Sequence, residues 1–300
     1  MVRKMFLVMA VLAAASVSSV CLASTIPTTG LEAWLKADSI TGVANGGSVA
    51  TWTNSAGTGT TYNATASGTA MPTYYTSGIN GRPVLSFDGS DDGMVMGATP
   101  MHNQSVFTIF AVIERATDPG TNAVIVGNIE STGGVRGMVF GTAGSVDSGI
   151  NFNTSSVFYA NGRNTANNSV RTTPVGSLTA NTPHVISTSW VTGTGLTVYI
   201  DGVGPQALRS WVDGVTTNQV WMPTDPGLGI GTGLLISASW GIFKGDIAEL
   251  IFYNGTLSSA DYSAVDTYLY NKYVVPEPGT LALLATGLIG LLCYAWKKRR

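Results

Sequence analysis

The chain predicts an all-β fold: a two-sheet antiparallel jelly-roll sandwich with a short closing α-helix at 258–273 and a C-terminal membrane helix at 279–296. Three observations carry this reading. Stretches rich in Val, Ile, Thr and aromatic residues recur at short intervals. Turn dipeptides bound them, and helical periodicity is confined to the C-terminal part of the chain.

The strands come first. "VFTIFAVIE" (106–114), "HVISTSWVT" (184–192), "LTVYIDG" (196–202) and "IAELIFYNG" (247–255) have strand composition. Asn80-Gly81, Asp88-Gly89, Asp201-Gly202 and Asn254-Gly255 are turn signals. Leu196, Val198 and Ile200 alternate with Thr197 and Tyr199, which predicts a strand with one buried face. "TSWVTGTGLTVYIDG" reads as a hairpin over Gly193-Thr194-Gly195. With 37 glycines and only 11% charged residues, the composition suits short strands joined by tight turns. No repeat of fixed period occurs, which argues against a propeller or solenoid.

The closing helix follows. In "LSSADYSAVDTYLYNKY" (257–273), Ser258 stands as N-cap with Asp261 three residues on, a capping-box variant. Tyr262, Val265 and Leu269 fall on one face with Tyr273 near it, and Lys272 sits at the dipole's negative end.

The two ends concern export. Arg3 and Lys4 precede an apolar run and then small residues up to Ala23, which reads as a signal peptide over 1–23. At the other end, 279–296 carries no charge, and as a helix it would reach roughly 27 Å. Lys297, Lys298, Arg299 and Arg300 would stop it on the cytoplasmic side of the inner membrane. Pro276, Glu277 and Pro278 keep the junction extended. Val-Pro-Glu-Pro-Gly, an apolar helix and a basic terminus, in that order over 275–300, resemble the PEP-CTERM sorting signal of Gram-negative bacteria. That resemblance implies recognition by an exosortase-type processing enzyme and removal of the tail. An unprocessed tail anchor is the alternative. The expected location is export across the inner membrane with a C-terminal anchor and cytoplasmic tail before processing, then the cell surface, outer envelope or matrix.

Between the ends, residues 24–278 hold nine Lys/Arg against seventeen Asp/Glu, a net charge of −8. This excludes a nucleic-acid partner, which requires basic patches. Both cysteines lie in the targeting segments, so the domain must hold by its core. "GLEAWLKADSI" (30–40), "GGSVATWTNSAG" (46–57), "INGRPVLSFDGSDDGM" (79–94), "LTVYIDG" and "GDIAELIFYNGTLSSADYSAVDTYLYNKY" (245–273) resemble laminin-G-like jelly-roll domains of the concanavalin A-like fold. The resemblance covers both ends of the region and implies one domain over 24–274; it specifies fold better than function.

Enzyme chemistry finds little support. Glycosidases of such sandwiches place two carboxylates on one strand face, and no such pair occurs within a strand. Asp246 and Glu249, three apart, would face opposite ways, and Glu249 reads as a structural carboxylate. His102 and His184 have no triad pattern around them. Zinc lacks ligands. Calcium is the plausible metal: Asp88, Asp91 and Asp92 crowd one turn, although a hairpin turn whose aspartates bond their own backbone is the preferred explanation. For glycan, Trp211, Trp221 and Trp240 lie among loop residues and are the candidate platform, the alternative being rings that cover the sandwich edge. Trp34 and Trp52 read as core, and Trp190 is ambiguous. The expected function is a non-enzymatic, glycan-binding or adhesive surface module, with a purely structural matrix protein and a divergent glycoside hydrolase as alternatives.

Overall fold

A computed structural model describes residues 26–116, 123–128, 137–143, 156–162, 168–174, 176–192, 194–212, 224–234, 241–275 and 278–298. The expected signal peptide lies outside them, as do Pro276, Glu277, Arg299 and Arg300. Ile26–Val275 forms one unit, and the C-terminal helix belongs to another.

Within Ile26–Val275, β1 (Leu31–Lys36), β2 (Gly47–Ser48), β3 (Thr73–Tyr75), β4 (Val84–Asp88), β5 (Val106–Arg115), β6 (Pro183–Val191), β7 (Gly195–Ile200) and β8 (Lys244–Asn254) form an eight-stranded sheet. Its order is β7-β6-β5-β8-β4-β3-β2, with β1 also pairing to β8. The β6–β7 hairpin is the one that the turn chemistry predicts, with Val191 opposite Gly195. Thus β8 has β5 along one edge, and on the other β4 up to Ile247 and β1 from Glu249 onward. A bulge separates the two halves: Ile247 faces Ile113 and Glu249 faces Val112, leaving Ala248 as the extra residue.

A ten-stranded sheet packs as the second layer. Its pairings are antiparallel except for Gly241–Ile242, which runs parallel to Ala123–Gly127, a small departure from the all-antiparallel expectation. Alternation along the strands turns Ile109, Ile113 and Trp190 of the first sheet toward Trp52, Ile125 and Phe140 of the second, and all six are fully buried in one cluster.

The outer face of the first sheet is also apolar, and α1 (Ser259–Tyr273) covers it. Ser258 Oγ accepts from the Asp261 N–H at 3.1 Å and donates to the Asp261 carboxylate at 2.7 Å, the expected cap. Val265, Leu269 and Tyr273 bury against Phe110, Val112 and Ile251. The helix thus forms a third layer of the domain.

The second helix, α2 (Pro278–Lys298), corrects one expectation. Among the described residues no helix is long and apolar enough to cross a membrane. The membrane helix at 279–296, the transmembrane assignment and the anchored state with a cytoplasmic tail are therefore not upheld.

Candidate functional site

The aspartate turn is built by β4. Gly89 follows its last residue with φ +78°, and a Cβ there would lie 2.7 Å from Lys244 Cβ, so glycine is required. Asp88 Oδ1 accepts from the backbone N–H groups of Ser90 (2.7 Å), Asp91 (3.3 Å) and Asp92 (3.4 Å), and Asp92 Oδ2 accepts from the Asp88 N–H at 2.8 Å. The Ser90 hydrogen bond leads in holding the Asp88 carboxyl below its ordinary pKa, while burial pushes that of Asp92 up. Oxygens of Asp88, Asp91 and Asp92 come within 4.8 Å of one another, so a divalent cation could be held. Much of their accepting capacity is spent on their own backbone, so both sequence readings of this turn have support.

Of the three candidate tryptophans, one lies among the described residues. Trp211 lies in the strand Arg209–Val212, opposite Val170 at an edge of the second sheet, and not in the expected loop. Trp221 and Trp240 lie outside the described residues. Trp52 and Trp190 are core. Trp34 is only half-buried, and its indole N–H donates to Glu249.

Glu249 is fully buried and gathers a polar cluster around it. Its Oε2 accepts from Lys272 Nζ at 2.9 Å, the Tyr273 hydroxyl at 2.8 Å and the Tyr268 hydroxyl at 3.3 Å, and Lys272 also meets Asp38 at 2.8 Å. The bulge explains its aim. With Ala248 inserted, Asp246 and Glu249 both face outward toward α1's side of the sheet, which corrects the expectation that they face opposite ways. Burial works most strongly against the Lys272 charge, but Glu249, Tyr268 and Asp38 together more than offset it and hold the pKa above its ordinary value. Burial, then Glu249, pushes the Tyr273 hydroxyl up as well. The structural reading of Glu249 is the one these contacts support.

The histidines serve the framework. His184 Nε2 accepts from the Thr179 N–H at 3.0 Å, so Nδ1 carries the proton and donates to Asp201 Oδ2 at 2.7 Å. Asp201 and Gly202 both have positive φ, as the Asp-Gly signal requires. His102 lies 3.6 Å from Asp225, in a separate place.

One further acidic pair arises across strands. Asp246 stands directly opposite Glu114 on the outer face. Burial raises the pKa of both, and for Glu114 the facing Asp246 is the next cause. A search within single strands cannot see this pair.

Among the described residues a groove of about 360 Å³ lies on the outer face, between β5–β7 and the residues leading into α1. Strand register builds its floor. Thr108, Ser189 and Thr197 stand side by side across three strands, with Thr108 Oγ1 and Ser189 Oγ 2.8 Å apart. The row toward the chain reversal holds Val106 opposite Val191; the row on the other side holds Phe110, Ser187 and Tyr199. From α1, the Tyr262 ring packs between Tyr199 (centroids 5.1 Å) and Phe110 (5.2 Å), and its hydroxyl bonds Ser187 Oγ. Burial pushes the Tyr262 hydroxyl far above its ordinary pKa. Thr256, Leu257 and Ser259 complete the wall, and none of the lining residues is an acid or a base. Sequence reasoning missed this groove. The available signal was Ser187, Ser189, Thr197 and Tyr199 at alternating polar positions of two paired strands.

Comparisons with known proteins complete the picture. Residues 274–300 match the PEP-CTERM protein-sorting motif. No curated protein matches the chain. Among solved structures, the chain is similar to Trypanosoma rangeli sialidase in complex with sialic acid, with 16% identity and a TM-score of 0.51 over 83% of this chain and 34% of that one. It is also similar to the receptor binding domain of botulinum neurotoxin D, with 10% identity and a TM-score of 0.50 over 80% of this chain and 53% of that one. The chain thus spans about a third of the sialidase chain and about half of the neurotoxin chain. At these identities the likeness is one of fold, that of a β-sandwich.

Proposed function

We propose that the chain is an exported, non-enzymatic β-sandwich of laminin-G-like character that binds glycan at the cell surface or in the extracellular matrix. The groove on the outer face carries this reading. It offers several hydroxyls, aromatic and aliphatic walls and no charge, a lining suited to the alternating hydroxyl and C–H surfaces of a sugar. The sorting motif over 274–300 supports export and implies an exosortase-type processing enzyme as partner. Calcium at the aspartate turn would be a structural accessory.

A glycan array probed with the full-length chain tests the proposal. Saturable binding to a defined set of glycans is the expected outcome. Silence across the array, with the protein folded, would favour a purely structural matrix role.

A second reading rests on Glu114 and Asp246. Two carboxyls opposite one another are the pairing a glycoside hydrolase uses, one as the acid and one ionised as nucleophile or base, and a raised pKa suits the acid. Release of reducing sugar that disappears in Glu114→Gln would favour it over simple binding.

A further inference from the structure

We infer that the groove between β5–β7 and α1 takes an uncharged sugar residue and turns away glycans that carry carboxylates. The inference rests on the glycan-binding reading and names the class of glycan.

The floor makes the first half of the argument. A hydroxyl offers one donor and two acceptor positions and rotates to suit its partner. A row of three on adjacent strands can therefore follow the mixed donors and acceptors of a sugar edge, where a charged side chain would demand one polarity. Val106, Val191 and Leu257 supply apolar patches for the ring's C–H face. At about 360 Å³ the groove lies in the ~300–1,000 Å³ range of small-ligand pockets.

The second half is electrostatic. Acidic charges lie close to the groove. Asp266 Oδ2 would lie 2.9 Å from a Cβ on Gly202, in the turn that ends β7, and it bears on Tyr262 at the groove wall. Asp201 lies near enough to raise the Asp266 pKa, after burial. The positive end of the α1 dipole, which would otherwise draw an anion, is already met by Asp261 and the Ser258 cap. Lys272, the base on α1, is held at the far end of the helix by Glu249 and Asp38. A carboxylate entering the groove would lose water, find no cation among the lining residues and meet a negative field.

The test uses the full-length chain against immobilised neutral oligosaccharides and their uronate- and sialate-bearing counterparts. Neutral glycans should bind and acidic ones should not. Ser189→Ala/Thr197→Val removes two floor hydroxyls with little change of shape, and should weaken neutral binding about tenfold or more while leaving the thermal melt unchanged. Thr197→Arg should admit acidic glycans. Neutral binding that survives the double substitution would place the site elsewhere and leave the glycan-binding reading standing. Acidic binding by the wild type that the double substitution abolishes would overturn the class of ligand. An array silent for every glycan would overturn both readings together.

Discussion

Replacing Lys272 with methionine tests what holds α1 to the sheet. In the wild type Lys272 Nζ lies 2.9 Å from Glu249 and is mostly buried, while Glu249 is 0% exposed. Two unit charges at that separation attract by about 6 kcal/mol at an effective dielectric of about 20. Removing both from water takes back most of that gain. Removing only one leaves a buried charge without its counter-ion, which costs about 3–5 kcal/mol. Asp38, 38% exposed, is released toward solvent and adds little. Lys272→Met should therefore lower stability by about 3–5 kcal/mol in urea unfolding followed by tryptophan fluorescence. Adding Glu249→Gln removes the orphan charge but keeps an acceptor for Tyr273 and the Trp34 N–H, and should bring the loss down to about 1–2 kcal/mol. Because the folded pKa of Lys272 is raised, its contribution is fully present below the ordinary value of 10.5 and is lost only as pH rises beyond it. A loss under about 1 kcal/mol for the single substitution, or a double variant as unstable as the single, would refute the reasoning.

Three other outcomes are expected. Leu269→Ala should cost about 2–5 kcal/mol, and a chain ending at Asn254 should aggregate, since Phe110, Val112 and Ile251 would lose their cover; equal thermal melts would count against α1 as part of the fold. Asp246 and Glu114 both hold protons more tightly in the folded state, so their contribution is greatest at low pH and falls as pH rises through the carboxyl range. Asp246→Asn should accordingly raise the melting temperature at neutral pH and leave it unchanged in acid, and an identical pH profile would contradict the burial argument. Calorimetric titration with calcium should give heat that Asp91→Ala/Asp92→Ala abolishes, and no heat at about millimolar calcium would leave the turn bonded to its own backbone alone.

The parts of the fold legible in the sequence are those set by local chemistry. Leu196, Val198 and Ile200 announce one strand face, Asp201-Gly202 a turn with positive φ, and Ser258 with Asp261 a helix start. The groove was illegible because its floor joins residues 108, 189 and 197, which only strand pairing brings side by side. The outward aim of Glu249 was illegible for a different reason. An inserted Ala248 breaks the two-residue alternation on which face assignment depends, and nothing in the composition of "GDIAELIFYN" marks the break. The membrane helix expected at 279–296 is a separate case: among the described residues no helix is long and apolar enough to cross a membrane.

The placement of Thr108, Ser189 and Thr197 has a consequence for how this protein can diverge. Their alignment is written in the pairing of three strands, so loops at either end of the sandwich can lengthen, shorten or change without altering the surface a ligand would meet. The converse is a brittleness. One residue inserted into β6 would turn Trp190 or Thr188 outward in place of Ser189 and send the hydroxyl into the core. Lineages derived from this chain should therefore explore new specificity by exchanging single side chains on the sheet, and should vary freely in length only where no strand is counted.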